Sequence, residues 1–303
     1  MILVICTNPA IDMYIHFDGI TPGKANRIAK EFRYPGGKGV HVALALRELE
    51  EKVILLAFWG GANGKWIRNK CKEVGIRCIG PKIKEQSRIC YTFKTDDRFS
   101  ETEILGRGPE ISTRTCEKFI NEFRDVMQKT EIVAISGSLP PGCPPDFYNQ
   151  LLKIANETGK PVFIDCVGEP LRQVANDYWG GIHLNFNEFR ELLPAKDQAD
   201  AARQLSTKCK YAALTDGKKG LYLACDSTLI HAYLHIEKVY SSVGSGDCLL
   251  AGLVAAHRRG YSLSEMARLG VACGTAKCIN DELGSMRIAD VIEFLPHVNI
   301  KSI

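Results

Sequence analysis

Short apolar runs rich in β-branched residues alternate along the chain with longer stretches in which apolar side chains recur every three or four positions. From Glu131 onward the alternation is regular: EIVAIS, a helical stretch after Cys143, PVFID, a helical stretch near Glu169, and so on to YAALT. Strands that are apolar at nearly every position are buried on both faces, and helices between them act as crossovers. The rhythm therefore predicts βαβ units in a mostly parallel sheet. The same layout begins at residue 2, where ILVICT reads as a buried strand. Lys38 to Glu50 then reads as a helix entered through Gly36, Gly37 and Gly39, followed by the strand VILLAF.

Two stretches break the rhythm, roughly 12 to 35 and 87 to 106. In them YIHF, RIAKEF, RICYTFKT and SETEIL read as antiparallel strands with no helix between them, expected to pair into a small sheet beside the main one. A sheet of that kind has one face without a core of its own, so it is expected to cover a cleft or another subunit. From Gly246 to Leu295 the chain is helix-rich. No repeat, low-complexity tract or linker interrupts the 303 residues, which are expected to form one large α/β domain, residues 1–303, with the small sheet as its lid.

Composition narrows the function classes. A hydrophobic fraction of 45% supports a sizeable core, and 39 basic against 35 acidic residues leave a formal charge of only +4, with no block of like charges. That balance disfavours nucleic acid as a partner. No apolar run approaches the roughly 18 residues of a membrane span. MILVIC is followed at once by Thr7, Asn8, Pro9 and Asp12, unlike a secretory signal, so a cytoplasmic protein is expected. The twelve cysteines fall singly on apolar stretches, as with Cys6, Cys166, Cys225 and Cys273, and read as small core residues rather than a disulfide framework. Without a C-x-x-C pair, and with His231 and His235 in a strand-like stretch, structural zinc is unsupported.

The candidate chemistry lies in VGSGD, residues 243 to 247, read as a tight glycine turn between a strand around His231 to Val239 and a helix starting near Ser245. Successive amides at a glycine turn and helix N-terminus make a concavity suited to phosphate oxygens. An aspartate inside it is out of place unless it accepts a proton from an attacking hydroxyl while the amides stabilise the transferring group. The bland alternative is a first-turn acid that complements the helix dipole. Gly244 and Gly246 lack the third glycine of a dinucleotide fingerprint, and Gly64-Lys65 is followed by Trp66 rather than the hydroxyl residue of a P-loop. YPGGKGVHVALAL places a second glycine turn, with Lys38 inside it, at the start of another helix. Asp12, just past the first strand, falls where open α/β sheets bind ligands.

In this order, NPAID, PGGKGVHVA, SRICYTF, ISGSLPPG, NFNE, LTDGKKG and SSVGSGD span nearly the whole chain and resemble the PfkB or ribokinase family of sugar kinases. Within it they most resemble the 1-phosphofructokinase and tagatose-6-phosphate kinase branch. The resemblance implies a ribokinase-like three-layer α/β/α domain with a small β-sheet lid, ATP at the carboxyl edge of the sheet, Mg²⁺, and a homodimer through the lid. It assigns Asp247 as catalytic base and Gly244, Ser245 and Gly246 as the anion hole. On the sugar side it implies Asp12, Gly37, His41 and Ser138, with Lys38, Arg88 and more loosely Arg27 for the substrate phosphate. On the nucleotide side it implies Asn185 and Glu188, the latter holding Mg²⁺ through water, together with Thr215, Gly217 and Gly220.

Four positions, in three places, depart from the family pattern. His41 stands where the family has asparagine, His183 and Leu184 stand for lysine and proline ahead of N-x-x-E, and Cys90 replaces an asparagine of the lid strand. The expected reaction is ATP-dependent phosphorylation of the free primary hydroxyl of a ketohexose monophosphate, fructose 1-phosphate first and tagatose 6-phosphate next. The alternatives are a sugar-phosphate sensor without catalysis, and a kinase for a nucleoside or free sugar, whose neutral substrate would leave Lys38 and Arg88 without a partner.

Overall fold

Ile2–Cys6 is buried at every position, which requires cover on both faces, and it lies deep inside the main sheet of the computed structural model. The structure describes residues 1–303 apart from 98, 167, 170, 171 and 173–178. The helix expected near Glu169 falls mostly on those positions and lies outside the described residues.

Seven parallel strands run in the spatial order Arg77–Ile79, Val53–Ala57, Ile2–Cys6, Ile132–Ser136, Val162–Asp165, Trp179–Asn185 and Cys209–Thr215. Leu221–Cys225, Thr228–Tyr233 and Asn299–Ser302 extend the sheet antiparallel. The last of these was not legible beside the helix-rich C-terminal stretch. The strand expected to reach Val239 stops at Tyr233, and an irregular segment leads from there to the glycine turn.

One hydrophobic cluster joins the sheet to helices Lys38–Glu48, Gly61–Glu73, Ser245–Arg258 and Leu263–Cys278. A second, on the other face, joins it to Thr113–Met127, Phe147–Glu157 and Gln198–Ser206. This is the expected three-layer α/β/α arrangement. Ser245–Arg258 is buried from Asp247 to Ala256, and such a helix needs apolar residues all round. Each of its leucines and valines gains about 1.5–3 kcal/mol from burial. Gly252 lets it approach Leu263–Cys278 closely, since a Cβ there would lie 2.9 Å from the Gly270 Cα.

The small sheet contains Lys30–Gly36, Ala10–His16, Arg88–Lys94 and Thr102–Leu105 in that order. Its outer pairs are antiparallel as expected, but the central pair, Ala10–His16 with Arg88–Lys94, is parallel. The two segments reach the sheet from separate crossovers of the main domain, and no hairpin joins them, so nothing forces opposite directions. The first strand also begins at Ala10, two residues before the expected boundary.

Candidate active site

Asp247 stands in the first turn of Ser245–Arg258, behind a left-handed Gly244 with φ 85°. That conformation suits glycine and tightens the turn until the Ser245 N–H closes on the Ser242 carbonyl at 3.0 Å. One of the three expected anion-hole amides is thereby occupied. The amides of Gly244 and Gly246 donate to nothing among the described residues. The turn adjoins a cavity of about 540 Å³ lined by Thr215, Gly217, Gly220, Gly246, Leu249 and Thr275. That volume is within the range of small-molecule sites.

Two buried histidines flank this turn. His41, on the first turn of Lys38–Glu48, places Nδ1 2.9 Å from Asp247 Oδ2 and Nε2 2.9 Å from Asp12 Oδ2. The second contact is an ion pair whose angle falls short of an aligned hydrogen bond. Burial alone would depress the imidazole, but hydrogen bonding and charge from the two acids outweigh it and raise its pKa to about 10. Burial raises the Asp247 carboxyl, and His41 and Lys38 oppose that rise. Gly36 and Gly284 make the room: a side chain on Gly36 would strike the Asp12 carboxyl, and one on Gly284 would strike the His41 ring.

His183 lies behind Gly246, where a Cβ would come 3.0 Å from the ring. Its Nδ1 contacts Asp165 Oδ2 at 2.8 Å and its Nε2 contacts Thr215 Oγ1 at 3.1 Å. Asp165 also accepts from Lys38 Nζ at 2.7 Å, and Lys38 lies 3.8 Å from Glu188 Oε1. Burial pushes Asp165 upward, but the Lys38 charge and His183 hold it below the usual carboxylate range. Lys38 is held high in turn, its acidic neighbours Asp165, Asp247 and Glu188 overcoming burial.

The remaining expected residues are distributed as follows. Gly37, with φ 91°, is the N-cap of Lys38–Glu48. Asn185 and Glu188 form a capping box, Glu188 Oε2 accepting from the Asn185 N–H at 2.8 Å. Arg88 donates to the carbonyls of Asn8 and Gly106, at 3.2 and 3.1 Å, which ties the base of the small sheet to the end of the first strand. Ser138 accepts from Asn8 Nδ2 through its hydroxyl at 3.5 Å. Arg27 is exposed in the connection before Lys30–Gly36. Thus Asp12, His41 and Asp247 are brought together, and so are Lys38, Glu188 and Thr215 around His183 and Asp165, whereas Arg27 stands apart.

Sequence reasoning missed Asp165, Glu103 and Gly284. Asp165 ends a buried strand, so the carboxyl-edge argument applied to Asp12 would have found it. Glu103, on the exposed edge strand, was hidden because only the small sheet's register brings it near the site, where desolvation and then the charges of Asp12 and Glu101 hold its carboxyl high. Among the described residues no group of three acidic, histidine or cysteine side chains is arranged to hold a metal ion.

A mostly parallel sheet with a small sheet beside it, and a glycine turn bearing a buried aspartate next to a cavity of about 540 Å³, are features of the ribokinase-like class of phosphotransferases acting on a sugar hydroxyl. The chain belongs to the pfkB family of carbohydrate kinases, whose family model matches residues 4–285. It is 28% identical over 306 residues to a 1-phosphofructokinase of Bacillus subtilis, covering 99% of each chain. It shares the fold of a possible 1-phosphofructokinase of Thermotoga maritima, at TM-score 0.89 and 23% identity, covering 100% of this chain and 99% of the other. The phosphofructokinase-2 of Escherichia coli, solved in complex with fructose-6-phosphate, superposes at TM-score 0.88 and 22% identity, with 97% and 98% coverage. Membership of a kinase family makes ATP the co-substrate.

Proposed function

We propose that this carbohydrate kinase transfers the γ-phosphoryl group of ATP to the free primary hydroxyl of a ketohexose monophosphate, with fructose 1-phosphate preferred and tagatose 6-phosphate second. The observation that carries the reading is the buried Asp247 carboxylate beside the Gly244 and Gly246 amides at the edge of the cavity. A base and an anion hole within one turn of helix serve in-line attack by a hydroxyl on a phosphoryl group. The choice of ketose leans on the Bacillus subtilis relative.

In this reading Asp247 takes the hydroxyl proton, and the Gly244 and Gly246 amides stabilise the charge on the transferring oxygens. Asp12 and His41 orient the sugar, with Ser138 and Gly37 closing its pocket. Lys38 and Arg88 face the substrate phosphate, and Arg27 approaches from the lid. Thr215, Gly217 and Gly220 line the nucleotide, while Asn185 and Glu188 stand at its phosphates. Glu188 keeps Oε1 directed toward the Lys38 side, and a carboxylate oxygen of that kind suits Mg²⁺ held through water. When bound, the ion would neutralise phosphate charge.

The whole chain, residues 1–303, acts as one catalytic unit. Ile28, Phe32, Ile104 and Leu105 expose apolar surface around the small sheet and support a homodimer through the lid. All twelve cysteines are unpaired, as suits the reducing cytoplasm, and no described helix is long and apolar enough to cross a membrane.

Coupled ADP release tests the reading, with ATP and Mg²⁺ against fructose 1-phosphate, tagatose 6-phosphate, fructose 6-phosphate, ribose and adenosine. Turnover is expected on a phosphorylated ketose, with a loss of at least about 10²-fold in kcat for Asp247→Asn while ATP still binds. Asp247→Asn retaining more than about a tenth of wild-type turnover would remove the base assignment. Silence on all five, with sugar phosphate still bound, favours a sensor.

A further inference from the structure

Lys277 is the only fully buried lysine among the described residues, with no accessible surface at all. It sits one residue before the end of Leu263–Cys278, and its Nζ lies 3.1 Å from the Asn280 carbonyl and 3.4 Å from the Ser241 carbonyl. No carboxylate among the described residues comes within ion-pair distance. A buried ammonium without an anion is strongly disfavoured unless dipoles converge on it. Burial pulls its pKa down, while Cys248, Cys278 and the more distant Glu101 and Asp281 oppose that.

The two carbonyls belong to the segments that shape the anion-binding turn. Ser241 opens SSVGSGD, and its hydroxyl donates to Glu101 Oε2 at 2.9 Å and accepts from the Val243 N–H at 3.3 Å. Just before it, the Tyr240 N–H donates to the Cys278 carbonyl at 2.8 Å. Asn280 begins the turn that ends at Gly284, and Asn280 Oδ1 accepts from the Glu282 N–H at 3.1 Å. Gly284 lies against both the His41 ring and Gly244, since a Cβ on Gly244 would come 2.7 Å from the Gly284 Cα. One ammonium therefore joins the loop before the glycine turn to the loop that backs it. Carbonyl oxygens converging on one positive charge are also how proteins hold monovalent metal ions.

We propose that Lys277 is a positioning residue acting as a built-in monovalent cation: it holds the Ser241 and Asn280 carbonyls, and through them the Gly244 and Gly246 amides, so that phosphoryl transfer needs no added alkali-metal ion. The catalytic half of this inference rests on the kinase reading above. The structural half does not.

Three measurements test it. Wild-type kcat is compared in potassium chloride and in tetramethylammonium chloride at equal ionic strength, and the two values are expected to agree within about twofold; stimulation by potassium beyond about fivefold overturns the proposal. Lys277→Met, which keeps the volume without the charge, is expected to lose about tenfold or more in kcat, with little change in the sugar-phosphate KM and an unchanged Tm. A Lys277→Met enzyme with more than half of wild-type kcat overturns it. Lys277→Ala, which opens an ammonium-sized space, is expected to recover part of its turnover in potassium or ammonium chloride but not in tetramethylammonium chloride. Folded Lys277→Ala without any such recovery reduces Lys277 to packing.

Hydrogen exchange over residues 240–248 is read on the same proteins without substrate. It is expected to quicken about tenfold or more in Lys277→Met, and equal exchange overturns the proposal whatever the turnover. Altered exchange with no turnover on any sugar phosphate, even by the wild type, would instead indict the kinase reading.

Discussion

The Nδ1 of His41 lies 2.9 Å from Asp247 Oδ2, so the proposed base is gripped by a cation from the helix of the first glycine turn. The other nitrogen of the ring faces Asp12, which makes one imidazolium the shared partner of an acid on the small sheet and an acid on the central helix. Burial disfavours the charged form of Asp247, and the imidazolium opposes that. The family pattern has an asparagine at this position, which can donate and accept but brings no charge.

Replacing His41 by asparagine should therefore move the acid limb of the kcat profile. Asp247 is already raised by burial, and without the imidazolium it should rise further. The limb is expected to shift upward by about one pH unit, corresponding to roughly 1.4 kcal/mol of lost interaction. The check is kcat against pH for both proteins under sugar and ATP saturation. Coincident acid limbs would mean that His41 leaves the base unaffected.

The same contact predicts how stability varies with pH. The pKa of His41 rises from an ordinary 6.5 to about 10 in the folded protein, so its contribution is complete below pH 6.5 and is lost as pH rises through 10. Denaturant melts across this window should show the wild type losing more stability toward pH 10 than His41→Asn does. Parallel declines would contradict the ion-pair arrangement.

Lys38→Ala and Arg88→Ala should separate two kinds of cation. Both are expected to raise the sugar-phosphate KM by about tenfold or more, far beyond any effect on the ATP KM. Only Lys38→Ala should also lower kcat, because Lys38 is paired with Asp165 and lies 3.8 Å from Glu188, the residue proposed to stand at the nucleotide phosphates. Steady-state kinetics in both substrates settle this. An equal rise of both KM values in either variant would point to disruption of the small sheet, which Arg88 ties down through Asn8 and Gly106.

Gly284→Ala should be costly. The backbone there has φ +64°, and the added methyl would strike the His41 ring. Overpacking of this kind costs about 1–3 kcal/mol, with left-handed strain in addition. The expected outcome is a lower urea midpoint together with weakened turnover. Wild-type stability in Gly284→Ala would show that the 280–284 loop yields freely.

The parts of the fold carried by local periodicity were readable in advance. Ile2–Cys6 and Ile132–Ser136 are apolar throughout because both their faces are covered, and the helix after VGSGD is apolar because it is enclosed. The small sheet was legible as interrupted rhythm, but the parallel pairing of Ala10–His16 with Arg88–Lys94 was not, since direction depends on how distant crossovers deliver the strands. Likewise the glycine turn signalled anion binding, while its inward-closing Ser245 amide depends on the torsions actually adopted.

What the sequence by itself determined is the order of α/β units, the family and the position of Asp247, because each is written in residues adjacent along the chain. Only the tertiary structure decided that His41 joins Asp12 to Asp247, that Asp165 links Lys38 to His183, and that Lys277 lies enclosed between Ser241 and Asn280. Each of those contacts joins separate chain segments, and the charge states involved follow from burial and neighbouring charge. Neither property is encoded at any single position.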